Sequence, residues 1–114
     1  MKGKVIVSRF WTRFFSLGKA EAITLFPFIF IYKKGLKKDI ILLNHERIHI
    51  CQALELFVVG FYLWYVLEFL FRFLRHKNFD KAYRNISFER EAFTHESNIG
   101  YLKQRKRWAF RKYL

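Results

Sequence analysis

The chain reads as a mainly helical α+β domain with a small β region at its N-terminus. Three observations predict this. Residues 22–32, Ala-Ile-Thr-Leu-Phe-Pro-Phe-Ile-Phe-Ile-Tyr, are rich in β-branched and aromatic residues. From Ile40 to Arg75 the chain is apolar at helical spacing with only Gly60 to interrupt it. A further helical pattern runs from Phe88 to Asn98 between Ser87 and Gly100. At 114 residues the chain makes one domain, residues 1–114. Its regions are an N-terminal β part (1–39), a central helical part (40–98) and a basic C-terminal tail (99–114).

Composition narrows the class. The chain is 53% hydrophobic and 21% aromatic, which argues against disorder, yet it carries a net charge of +13. Apolar surface combined with positive charge suits a membrane surface. Nucleic acid is the other usual partner of such charge. Here the basic residues are spread from Lys2 to Lys112 and the aromatics sit inside apolar runs, so no stacking platform is visible and no nucleic-acid partner is expected. A single Cys precludes an intrachain disulfide and fits a reducing compartment. Val5-Ile6-Val7 is too short for the core of a secretory signal, so none is expected, and membrane association on the cytoplasmic side is the favoured location.

The elements follow in order. Lys4–Arg9 predicts a short strand. Phe10, Trp11, Phe14, Phe15 and Leu17 fit either a strand or an interfacial turn, with a break at Gly18-Lys19. In the 22–32 strand Pro27 lacks an N–H, which predicts an edge strand or a bulge. An edge strand can pair with an extended peptide. Lys33–Lys38 is a basic turn, and Asp39 is a suitable N-cap for a helix over 40–59. Phe61–Arg75 is a second helix or a bent continuation, apolar nearly all round, which predicts cover by a bilayer or by a second copy of the chain in a homo-oligomer. Asn78–Ser87 reads as a loop. Tyr101–Leu114, with six Lys/Arg and no acid, reads as a basic amphipathic helix on a membrane surface or a solvated C-terminal helix.

The chemistry centres on His45-Glu46-Arg47-Ile48-His49, a complete H-E-x-x-H. On a helix, residues four apart share a face, so His45 and His49 can bind one metal ion, and Glu46 can act as general base on a water beside it. Neighbouring Ile40–Leu43, Ile48, Ile50 and Leu54 predict a largely buried helix, in which unpaired His and Glu would be costly. Gln52 lies in phase with both histidines, either as a partner to a ligand or as a boundary polar residue. A catalytic zinc takes three protein ligands. Candidates for the third are Glu89, Glu91, Glu96, Asp80, His76 and His95. Zinc is favoured over other divalent ions because imidazole and carboxylate suit it. One Zn2+ per chain is expected.

Residues 88–93, Phe-Glu-Arg-Glu-Ala-Phe, resemble the E-x-x-A segment of gluzincin metallopeptidases. The similarity is to the integral-membrane prenyl-protein and heat-shock proteases and the related β-lactam-sensor proteases. Residues 82–92 also resemble a segment that follows the metal helix in a class of small bacterial H-E-x-x-H proteins. Together the resemblance covers roughly residues 40–97. It implies a minimal zincin-like core in which Glu89 is the third ligand, with Ala92 three residues on. The family usually has Asp after that Ala. Here Phe93 stands there, so the family's usual partner to a ligand is missing while the ligand Glu89 itself is kept. The resemblance implies a zinc-dependent peptidase acting on a peptide or protein substrate, with Glu46 passing a proton from water to the leaving amine. Tyr83 and Arg84, ahead of His95, are the candidate donors to the oxyanion. The competing reading is a membrane-associated or oligomeric binding protein whose metal is structural or absent.

Overall fold

The computed structural model describes residues 3–16, 18 and 20–114. Leu17 and Lys19, used above for the first turn, lie outside them. The architecture is a mainly helical α+β fold: a three-stranded sheet packs on one side of a central helix, and further helices and the C-terminal tail pack on the other.

Strand β1 (Lys4–Val7) is followed by α1 (Arg9–Phe15), not by the expected strand or turn. Ser8 is its N-cap, its hydroxyl accepting the Trp11 N–H at 3.1 Å. Residues 22–32 are not one strand. They form β2 (Ala22–Leu25) and β3 (Phe28–Ile31), joined by a two-residue turn at Phe26-Pro27. Pro27 thus sits where no ladder donor is required. The sheet order is β1-β3-β2, with β3 parallel to β1 and antiparallel to β2. The strand after Pro27 is therefore central, and β2 before it is the edge.

A 3₁₀ turn (Lys34–Lys38) leads into α2 (Ile40–Glu55), which Asp39 caps by accepting the Leu42 N–H at 3.0 Å. The sheet and α2 enclose Ala22, Ile29, Ile31, Leu36, Leu43 and Ile50. The expected helix to Val59 with a weak point at Gly60 is replaced by a sharp end near Leu56. Val58 N–H bonds Ala53 O at 2.7 Å and Phe57 N–H bonds Leu54 O at 3.3 Å, the paired bonds of a Schellman motif. Phe57 takes the left-handed conformation (φ 58°) that glycine normally supplies there. Helix α3 (Val59–His76) then departs at 112° to α2, with Gly60 inside its first turn.

The predicted loop 78–87 contains a helix, α4 (Phe79–Arg84), because Asn78 caps it through the Lys81 N–H at 3.0 Å. Helix α5 runs Ser87–His95, shorter than the expected 88–98. Ser87 is its first residue and not its cap: its N–H and hydroxyl both donate to Glu68 of α3, each at 2.6 Å. The tail does not form the one continuous helix expected of it, membrane-surface or solvated. It forms a single helical turn, α6 (Tyr101–Gln104), and a 3₁₀ turn (Ala109–Tyr113) that folds back onto the protein. Phe110 is fully buried with Ala53, Phe61, Ile86 and Phe88. The Arg105 guanidinium is enclosed by two carboxylates, bonding Glu55 at 3.0 Å through both terminal nitrogens and Glu91 through Nε at 2.5 Å.

Candidate metal centre

The middle of α2 lies between the two apolar clusters. Its polar residues Asn44, His45, Glu46, His49 and Gln52 are all buried, so each needs a partner. Helix α5 supplies most of them. Asn44 donates to the carbonyls of Glu96 (2.8 Å) and Asn98 (3.1 Å), satisfying the end of α5 and holding it beside His45. Gln52 donates to Phe88 O at 3.1 Å. With the Glu68–Ser87 bonds, these ties place the first turn of α5 over the histidines.

There Glu89 Oε1 lies 2.9 Å from His45 Nε2 and 3.1 Å from His49 Nε2. One ligand atom from each of His45, His49 and Glu89 falls within 4.8 Å of the others, and all three residues are buried. This group could hold a metal ion. The donor chemistry fits: two imidazoles and a carboxylate, with both remote nitrogens already engaged. His45 Nδ1 meets Glu96 Oε1 at 2.8 Å, and His49 Nδ1 meets Gln52 Oε1 at 2.7 Å. Such partners fix the tautomer with Nε2 free to ligate. A tetrahedral zinc holds its donor atoms roughly 3.3 Å apart, near the 2.9 and 3.1 Å between Glu89 Oε1 and the two imidazole nitrogens.

Glu46 stands beside this group, its Oε2 3.9 Å from His45 Nε2. Its other carboxylate oxygen accepts the Thr24 hydroxyl of β2 at 2.9 Å. Tyr65 of α3 donates to the second oxygen of Glu89 at 2.6 Å. Tyr83 of α4 also interacts with Glu89 and lines the same cavity. The cavity is about 710 Å3 in volume and is bounded by β2, α3 and α4, with Glu46, His49 and Glu89 at its base. Tyr62 bridges its wall to the hairpin, accepting the Phe26 N–H at 2.9 Å and donating to Thr24 O at 3.2 Å.

Without a metal the group shares protons. Burial pushes both imidazoles down, but the Glu89 carboxylate outweighs it, holding His45 above its usual value and His49 up at about 9. Burial would raise Glu89; the two imidazoles instead hold it well below the carboxylate range. Burial, then the nearby Glu89 carboxylate, pushes the Tyr65 and Tyr83 phenols up, so both remain donors at neutral pH. A metal entering here must displace the shared protons.

Of the residues singled out from sequence, His45, Glu46, His49, Gln52, Glu89 and Tyr83 are brought together. Arg84 is not: it bonds Asp80 at 3.1 Å on the exposed side of α4 and lies over the Phe93 ring. His95 stacks on Tyr101 and meets the Tyr113 hydroxyl at 2.8 Å. Glu91 belongs to the Arg105 cluster. Glu96 partners His45 from beyond the helix end, while Phe93 packs its ring against the His45 imidazole at 4.6 Å. Thr24, Tyr62 and Tyr65 were not anticipated. The one signal for the tyrosines is two hydroxyl-bearing aromatics three apart in an apolar run, on one face of a helix.

Gln52 is the link between the centre and the tail, since its amide also donates to Glu91 at 2.9 Å. Replacing it with Leu is expected to weaken zinc binding by about 10–100-fold, measured by competition with a chromophoric chelator, because His49 loses the acceptor that orients it.

Comparison with protein-family models, with curated proteins and with solved structures finds no match to this chain.

Proposed function

We propose that the chain is a zinc-dependent metallopeptidase of the gluzincin kind, in which His45, His49 and Glu89 hold the ion. The observation that carries this reading is the convergence of those three ligand atoms, with the Glu46 carboxylate beside them and Glu46, His49 and Glu89 lining one cavity. A bound zinc supplies Lewis acidity and lowers the pKa of water toward about 7.

The chain's own residues supply the rest. Thr24 holds the Glu46 carboxylate toward the cavity, where it accepts a proton from the attacking water and returns it to the leaving amine. Tyr83, which lines the cavity and is kept protonated by burial and by Glu89, is the candidate donor to a developing oxyanion, a role in which its hydroxyl turns from Glu89 to the substrate. Arg84 has no part in this scheme. The β2 edge borders the cavity and is the place for an extended peptide to pair, outside the stretch that Tyr62 already bonds.

The test is hydrolysis of a peptide library by the purified chain before and after removal of metal. Cleavage that chelator abolishes and about one equivalent of zinc restores is the expected result. Zinc-loaded protein that cleaves nothing would leave the site a structural one.

A further inference from the structure

Helix α3 divides its side chains between two environments. Phe61, Tyr62, Tyr65 and Phe69 face the protein and the cavity. Val59, Leu63, Leu67, Leu70, Phe71 and Leu74 form a stripe on the outer face and are exposed, Leu67 to 66% and Leu74 to 76%. The stripe follows helical spacing over four turns, about 23 Å at 1.5 Å per residue. Helix α1 presents a second apolar surface, with Phe10, Trp11 and Phe14 exposed. Residues next to each surface, Phe15 of α1 and Val66 and Phe69 of α3, line the cavity that Glu46, His49 and Glu89 also line.

Charge decides what covers them. Six of the nine acidic residues are bonded inside the fold: Glu46 to Thr24, Glu55 and Glu91 to Arg105, Glu68 to Ser87, Glu89 to the two imidazoles and Glu96 to His45. Arg105 apart, the Lys and Arg residues therefore far outnumber the acids left outside, and the exterior is strongly cationic. Pairing two copies through α3 would bring together two molecules each carrying +13. An anionic bilayer meets both demands, taking the apolar stripe into its interfacial zone and the surrounding charge at its headgroups. Among the described residues no single helix is long and apolar enough to cross a membrane, and α2 and α3 together are bent by 112°. Since α3 keeps one face on the protein, it suits a position along the surface.

We propose that the outer stripe of α3, with the aromatic face of α1, is a docking surface for an anionic lipid bilayer, and that the metal cavity opens beside the membrane. Each Lys or Arg at such a surface strengthens binding by about fivefold. The proposal does not depend on the peptidase reading.

The experiment is flotation of the full chain with vesicles of phosphatidylcholine alone or with 30% phosphatidylglycerol, at low salt and in 0.5 M NaCl. Wild-type protein is expected to float with the anionic vesicles about tenfold or more above the neutral ones. Leu63→Glu/Leu67→Glu, on exposed positions, is expected to lower that partition about tenfold while circular dichroism stays unchanged. Phe14→Glu should lower it in the same direction. Three results would overturn the proposal: no flotation with anionic vesicles at low salt; equal flotation of the Leu63/Leu67 variant, which would mean charge adsorption alone; or a wild-type dimer by sedimentation that the same variant splits, with no vesicle binding, which would assign the stripe to a second copy.

Discussion

Glu46→Gln should leave metal content at the wild-type level and lower peptide hydrolysis by about 10²–10⁴-fold, the usual worth of a positioned general base. The two consequences separate because Glu46 is beside the ligand atoms and not among them. The amide keeps the shape of the side chain and an oxygen for the Thr24 hydroxyl, which donates to Glu46 at 2.9 Å. It cannot take up a proton from water at neutral pH. The same Thr24 hydroxyl proton is shared with the Glu46 carbonyl at 3.1 Å, so the hairpin keeps an acceptor on α2 after the change. Metal analysis and a hydrolysis assay on the same preparation make the check. Activity that survives would remove Glu46 as the base, and lost metal would mean that its charge is needed for binding.

Arg105→Ala should cost about 3–5 kcal/mol of stability, read from urea denaturation, because it strands two carboxylates that the fold has removed from water. The Arg105 side chain is 5% exposed and that of Glu91 is fully buried. Burial alone would hold the guanidinium down and Glu91 up. Their mutual bonds, with Glu55 joining from α2, shift each the other way, toward the charged form. Glu55 also accepts the Trp108 N–H at 2.6 Å, so the loss would loosen the turn that delivers Phe110 to the core. The effect reaches the candidate centre through Glu91, Gln52 and His49, which form a continuous bonded series. Zinc affinity should therefore fall along with stability. Wild-type stability in this variant would show that the tail is only laid against the protein.

What the sequence made legible was mostly local. Two histidines four apart on an apolar helix need only helical geometry to share a face, and Asp39 marks the start of that helix by its own side chain. Glu89 is remote, and its choice over Glu91 and Glu96 rested on the resemblance at residues 88–93, not on spacing. The structure shows why the neighbours differ: Glu91, two positions on, faces Arg105, and Glu96 lies past the helix end, where it reaches the far side of the His45 ring. The end of α2 was hidden because Phe57 occupies a left-handed position that glycine would have announced. Pro27 was misread because one apolar run and a two-residue hairpin look alike until the register is known. Thr24, Tyr62 and Tyr65 reach the site only once the hairpin lies across α2 and α3 folds back, and no local pattern encodes that approach. Arg105 is one of six basic residues in the tail, and only the tertiary fold singles it out.

The central claim is that His45, His49 and Glu89 bind a metal, and it is tested most directly by the metal content of the purified 114-residue chain at neutral pH, without chelator. The account predicts close to one zinc per wild-type chain and a small fraction of that in Glu89→Ala. Folded wild-type protein that carries no metal, or a Glu89→Ala variant that carries as much as wild type, would contradict it.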